Sequence, residues 1–464
     1  MKKSIKALTA AVVTSTLALA GCSNGTSSSS RATEGAAIPQ PKVSCDIPAE
    51  NFNADPVDTG KVSGEITWMT QGLQADFKDY FEGAITKFEE QNPGTTVNWI
   101  DQGGAEDFDN LIATQAQGCQ MADVINVPSS TIMALSARDF LMDLDVKAPE
   151  LGANTLPDLF DSTKLGNEEH HTAVPWYMGP PVTLYNTDVL ERNGLDPATP
   201  PATVEDLFSM GKKIAEAGNG DYMVWGNPDW QIAIQWTAMG VKIMDDEATE
   251  FVFADDDKAL EWLTGMAELN ELGVIPPDSF TGESDPGKEY NKGKLVIGTP
   301  NPGFVRNIQK NNAEVYAKTE AAPYPVSEGG YVPVEPQYIA VSSTTGNAPL
   351  AVKFAEFITS DDMLFDWARN GGAVTMTTSQ GALDELLANP PEYANEDPVR
   401  GKLFEIMVET TENAKVNPAS MYLTGKVKQT LTQAVVDATQ GKIAPADALQ
   451  QAQDQMNELV KSLL

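Results

Sequence analysis

The chain has 464 residues, 41% hydrophobic and 21% charged, which is ordinary for a folded globular protein and long enough for two or more domains with cores of their own. Its formal charge of −35 is not ordinary. That balance argues against nucleic acid or an anionic lipid surface as partner, since both require basic patches, and it disfavours a strongly anionic ligand.

At the N-terminus, Lys2, Lys3 and Lys6 precede an apolar run, Ala7 to Ala20, too short to span a bilayer as a mature helix. The run closes in Leu19-Ala20-Gly21-Cys22, which resembles the lipobox of bacterial lipoproteins; the alternative is an unlipidated signal peptide that happens to contain cysteine. The first reading makes 1–21 a signal peptide and Cys22 the lipidation site. The mature protein is then held on the extracellular face of the cell membrane by acyl chains, not by charge. Loss of residues 1–21 removes three lysines and no acids, so the formal charge moves from −35 to −38. Residues 22–60 are small and polar without apolar periodicity, and read as a flexible tether. A coil of that length holds the folded part about 35 Å from the membrane. No later run is apolar for 18 residues, so no transmembrane helix is expected in the mature chain.

With Cys22 assigned, Cys45 and Cys119 remain. Outside the cytoplasm such a pair reads as a disulfide, here pinning the arm to the first folded lobe. The two histidines, His170 and His171, are adjacent in NEEHHTA and read as a solvated loop; no metal, cofactor or catalytic cysteine is expected.

Glu65 to Trp68 alternates like a strand, and from Asp76 the residues Phe77, Tyr80, Phe81, Ala84, Ile85 and Phe88 fall on one helical face. Asn92-Pro93-Gly94 stops that helix and Val97 to Ile100 supplies another strand; Ala122 to Val127 follows as a third. In open α/β sheets ligands sit beyond the carboxyl ends of strands, so the turns at Gln71, at Asp107 and at Ser129-Ser130 should face a cleft, although Asp107 and the serines equally suit helix caps. Ala173 to Leu195 then changes character. A strand runs into Trp176-Tyr177, Gly179-Pro180-Pro181 ends it, and Val182 to Tyr185 starts afresh. This is the pattern of a crossing between lobes, or of an ordinary loop in one large domain.

Thr203 with Asp206 suggests a capping box, Tyr222 to Trp225 a strand, and Trp230 a ring on a Gly/Asn/Pro turn. Asp255-Asp256-Asp257 lacks the spacing of a calcium loop. Lys294 to Gly298 reads as a buried strand, Glu335-Pro336 as a second crossing, and Arg369 to Val374 as a third with hinge glycines. Two striped helices close the chain.

The phrases FEEQNPGTTVNW, MADVINV, LMDLD, the Ala173–Leu195 segment and YNKGKLVIG resemble the carbohydrate-type extracellular solute-binding proteins of ABC importers, the maltose-binding-protein-like family. The resemblance runs from about Val62 to Leu464. It departs from the family at Val204, at Gly303-Phe304 and at Lys428, where relatives carry tryptophan, and the departure at Lys428 suggests a ligand other than long maltodextrins. The resemblance implies an α/β, two-lobed, type II binding-protein fold with three interlobe crossings. The first lobe would be 62–175 plus 337–370, and the second 178–334 plus 374–464. It further implies a non-enzymatic monomer that captures a mono- or oligosaccharide by lobe closure and delivers it to importer membrane subunits. Expected platforms are Trp176, Tyr177, Trp230 and, less securely by the family pattern, Phe304. Expected polar contacts are Gln71, Asp107, Ser129, Ser130, Asn301, Glu335 and Arg369. The competing readings are the same fold holding a polyamine, and a secreted glycoside hydrolase working through two carboxylates.

Overall fold

The computed structural model describes residues 45–103, 108–164, 170–227, 231–281 and 284–461. The opening unit is β1 (Gly64–Gln71), α1 (Gln74–Gln91) and β2 (Thr95–Gln102), its strands parallel and in register from Gly64–Thr95 to Gln71–Gln102. Phe81, Ala84, Ile85 and Phe88 carry the buried stripe of α1, while Phe77 leaves helical geometry at φ −130° and ψ 20°. Next come α2 (Phe108–Gln117), β3 (Val124–Val127), α3 (Ser129–Ser136) and β4 (Val174–Met178).

Past Gly179-Pro180-Pro181 a new layer begins with β5 (Val182–Asn186), then α4 (Val204–Ala217), α5 (Gln231–Met239), α6 (Asp257–Glu271), α7 (Phe304–Asn311) and β6 (Thr319–Pro323). Both halves of the capping box at Thr203 and Asp206 form, and Gly218 closes α4 in the left-handed region. β5 pairs antiparallel with β6, and single bridges from Ile297 to Tyr185 and from Leu295 to Tyr222 widen the layer. The strand expected at Tyr222–Trp225 is reduced to that one bridge. The amide of Met223 bonds the carbonyl of Val274, which lies in a loop, so no ladder continues.

The chain then returns as β7 (Pro336–Val341), α8 (Ala348–Ile358), α9 (Asp361–Asn370) and β8 (Met376–Thr377), followed by α10 (Gln380–Ala388), α11 (Pro398–Glu412), α12 (Gly425–Thr439) and α13 (Pro445–Lys461). The first sheet has the order β2-β1-β3-β7-β4-β8, with β1 parallel to its neighbours and β7 antiparallel to both β3 and β4. Side chains alternate across it. Trp68, Val124, Val174, Trp176 and Ile339 enter one core with α1 and α8, whereas Met69, Ile125, Tyr338 and Ala340 enter another with α2 and α3. Trp68 anchors the first of these, its ring 5.1–5.9 Å from those of Phe81, Trp99, Trp176 and Phe354.

A third core joins Met178, Val182 and Leu184 to Val374, Met376 and the buried face of α11, so the two layers are connected through packed side chains as well as through the chain. Residues 369–374 lead into β8, which pairs with β4 at Tyr177–Thr377 and Met178–Met376. From Val374 onward, through Met376, Leu383 and Leu386 to α11, the chain packs in the core that holds Val182 and Leu184 of β5. No described helix is long and apolar enough to cross a membrane.

Cys45 and Cys119 are joined by a disulfide with Cα atoms 5.7 Å apart, across a sequence separation of 74. The loop it closes is long, so the bridge restricts the unfolded chain strongly, by about 2–4 kcal/mol. Cys119→Ser, or treatment with dithiothreitol, is expected to lower the urea midpoint of the first unfolding transition accordingly; an unchanged midpoint would show that the bridge contributes nothing.

Candidate ligand-binding site

A cleft of about 480 Å³ lies where the connections between the two layers run. Leu73, Asp76 and Phe77 at the start of α1, with Trp367 of α9, form the wall from the first layer. Pro181, Ile234, Pro300, Asn301, Gly303 and Arg306 form the opposite wall. The floor is connecting chain: Tyr177 to Gly179, Glu335 with Gln337, and Ala373 to Thr375.

Three rings gather at one end. Phe77 and Tyr177 meet the Trp367 ring edge-on at 5.0 and 5.7 Å. The Arg306 guanidinium reaches over the Phe77 ring, its Cζ 4.8 Å from the centroid, and so links the two walls. Polar groups with no protein partner complete the lining. The Tyr177 hydroxyl makes no hydrogen bond among the described residues, and Thr375 Oγ1 is buried without one. Burial, helped by the Asp101 carboxylate, pushes the Tyr177 phenol upward, so it remains a neutral hydroxyl. Glu335 accepts a hydrogen bond from Ser420 Oγ. Desolvation nevertheless dominates and pushes its carboxyl up to about 7.

Of the residues expected from sequence, Tyr177, Asn301 and Glu335 meet in this cleft. Asn301 is exposed, and its Oδ1 accepts from the Gly303 amide at 2.8 Å, which shapes the entry to α7. Other expectations are corrected. Trp176, 1% exposed, lies in the core beside Trp68, at a point where the register of β4 against β7 shifts and its ring comes within 4.9 Å of that of Tyr177. Phe304, 6% exposed, packs edge-on to Tyr290 at 5.3 Å, against a glycine at 298 whose Cβ would fall 2.3 Å from the ring. Arg369 ends α9 facing a different depression. Ser130 donates to Asp109 at 3.2 Å and Ser129 is buried in the first turn of α3; the same Asp109 accepts from the Gly425 amide at 2.9 Å, so these groups tie α2 and α3 to α12. Gln71 ends β1, two strands from β7, and does not line the cleft. Asp107, Trp230 and Cys22 lie outside the described residues.

Sequence reasoning missed Asp76, Phe77, Arg306, Gln337, Trp367 and Thr375. Phe77 was assigned to the apolar stripe of α1, yet a helix start just after a strand faces the cleft by the same rule that selected Gln71. Arg306 follows the loop that was selected, one turn into α7; no local pattern distinguishes it from a solvated arginine.

The bacterial extracellular solute-binding protein family matches this chain over residues 72–363. The sn-glycerol-3-phosphate-binding periplasmic protein of Escherichia coli K12 is 24% identical over 241 residues, 48% of this chain; the chain spans about half the length (52%) of that relative. Among solved structures, an ABC transporter solute-binding protein from Thermotoga lettingae bound with alpha-D-tagatose superposes with a TM-score of 0.69 at 20% identity, covering 86% of this chain and 100% of that one. The maltose-bound T. maritima MalE3 gives 0.67 at 21%, covering 85% and 99%. At these identities the structures establish a shared two-lobed fold.

The raised carboxyl of Glu335 has a measurable consequence. Between its ordinary value of 4.5 and about 7, the folded chain holds a proton there that the unfolded chain has released. The residue therefore lowers stability progressively as pH rises through that window, and costs nothing below it. Relative to wild type, Glu335→Gln is expected to gain urea resistance as pH rises from about 5 to about 7.5. A constant difference between the two proteins across the window would contradict the shift.

Proposed function

The chain belongs to the bacterial extracellular solute-binding proteins, and from that premise we propose that it captures a small uncharged saccharide in the cleft and delivers it to the membrane subunits of an ABC importer. Its family consists of transport proteins, and no catalytic role is assigned. The observation that carries the reading is the composition of the cleft: two rings, Phe77 and Tyr177, backed by the buried Trp367, beside acceptors left without protein partners. The C–H faces of a sugar ring pack on such rings, and its hydroxyls donate to carboxylate and hydroxyl oxygens. A site built this way rejects an analogue lacking one hydroxyl, because the acceptor then stays buried and unpaired, at about 1–3 kcal/mol.

The relatives point to two ligand classes, since the solved structures hold tagatose and maltose while the E. coli protein is named for glycerol 3-phosphate. Charge separates them. Among the described lining residues Arg306 is the one cation, set against Asp76 and Glu335, too few donors for a phosphate ester. The same arginine disfavours a polyamine. Trp230 stays a further platform on sequence grounds alone, as a ring on a Gly/Asn/Pro turn. Acylation at Cys22, with a monomer tethered at the extracellular face of the membrane, rests on the Leu19-Ala20-Gly21-Cys22 pattern.

Calorimetry with maltose, tagatose, glycerol 3-phosphate and spermidine tests the reading. At least one saccharide is expected to bind saturably and without turnover. Tyr177→Ala is expected to weaken it about tenfold or more, through the lost ring and hydroxyl contacts. Saturation by glycerol 3-phosphate or spermidine, with no heat from any saccharide, would overturn it.

A further inference from the structure

Arg369 and Arg400 converge on a second depression of about 680 Å³, distinct from the cleft. Gly372 lines this depression and Ala373 to Thr375 line the cleft, so one short stretch of chain carries a wall of each. Arg369 donates from Nε to the Asn389 carbonyl at 3.1 Å and from Nη1 to Asn370 Oδ1 at 3.2 Å. Arg400 stacks on Tyr393, its Cζ 4.3 Å from the ring centroid, and its Nε is buried without a hydrogen-bond partner. Among the described residues neither guanidinium has a carboxylate oxygen within 4.0 Å. The two guanidiniums, neither with a carboxylate partner, thus share one cavity.

We propose that this depression binds a small oxyanion, a carboxylate or a phosphate, between the two guanidinium forks. With Nε and Nη1 of Arg369 already donating, its Nη2 and the terminal nitrogens of Arg400 are the donors left for the oxygens of such a group. Asn395 adds an amide at the wall, whereas the Asn370 amide already donates to Asp366 Oδ1 at 2.8 Å. Glu392 and Glu396 also line the depression, which opposes polyanions and restricts the site to ligands of low charge. Arg369 ends α9, which packs on the first sheet, and Arg400 lies in the first turn of α11, which packs on β5 and β6. An oxyanion held by both therefore braces the return to the second lobe from the side away from the saccharide. The assignment is independent of what the cleft binds.

The test uses the full folded chain, titrated separately with inorganic phosphate and with succinate at constant ionic strength and followed by calorimetry and thermal unfolding. At least one anion is expected to bind saturably and raise the melting temperature, with affinity at least tenfold weaker in both Arg369→Gln and Arg400→Gln. Binding of phosphate alone, or of succinate alone, identifies the oxyanion. If Arg400→Gln fails to fold, the exposed Arg369→Gln still gives the reading. Absence of saturation with either anion, an equal response to sodium chloride, or undiminished affinity in Arg369→Gln would overturn the proposal.

Discussion

At the boundary between two layers β4 is irregular, its register against β7 shifting between Pro175 and Tyr177, so that two successive rings pack on Trp367. Trp176 faces inward, among Trp68, Phe81 and Trp367, and fixes the strand against the core of the first sheet. Tyr177, one residue on, packs on the same Trp367 ring and lines the cleft. Gly179-Pro180-Pro181 then removes amide donors, ends the strand, and lets β5 begin in a different sheet. The same aromatic core holds Trp367, whose edge supports both Phe77 and Tyr177. The ligand wall is thus an outcrop of the core, positioned by packing rather than by a free loop.

The chemistry of the cleft follows from what its floor is made of. Connecting chain at the junction of two layers has backbone and side-chain groups that neither sheet satisfies, and these are the acceptors a polyhydroxylated guest needs. Glu335 lies on such a connection, deep enough that desolvation favours its protonated form, so it can serve as donor or acceptor near neutral pH. Arg306 supplies donors from the far wall and reaches across the cleft to the Phe77 ring. A closed state gains from every contact that only a bridging guest completes.

Much of the fold was legible in sequence because it is local. The stripe of α1, the proline-bounded break after β4, the capping box at Thr203 and the parallel opening unit are short-range patterns, and each appears in the structure. The site was legible at Tyr177, Asn301 and Glu335, which lie on connections the pattern had already marked. The failures share one cause. Trp176 and Phe304 are aromatics beside breaks, and only the register of the strand and the space beside Gly298 decide that they point inward. Arg306 and Trp367 come from helices remote in sequence, and only tertiary packing brings them to one wall.

The account rests on two halves that close over a neutral guest, with α1 and α7 facing each other across the cleft. Spin labels at Lys78→Cys on α1 and Lys310→Cys on α7, both exposed positions, report that separation directly by pulsed electron resonance. With a saccharide that binds in calorimetry, the distance distribution is predicted to collapse to a single, shorter population. Superimposable distributions with and without saturating saccharide would contradict it.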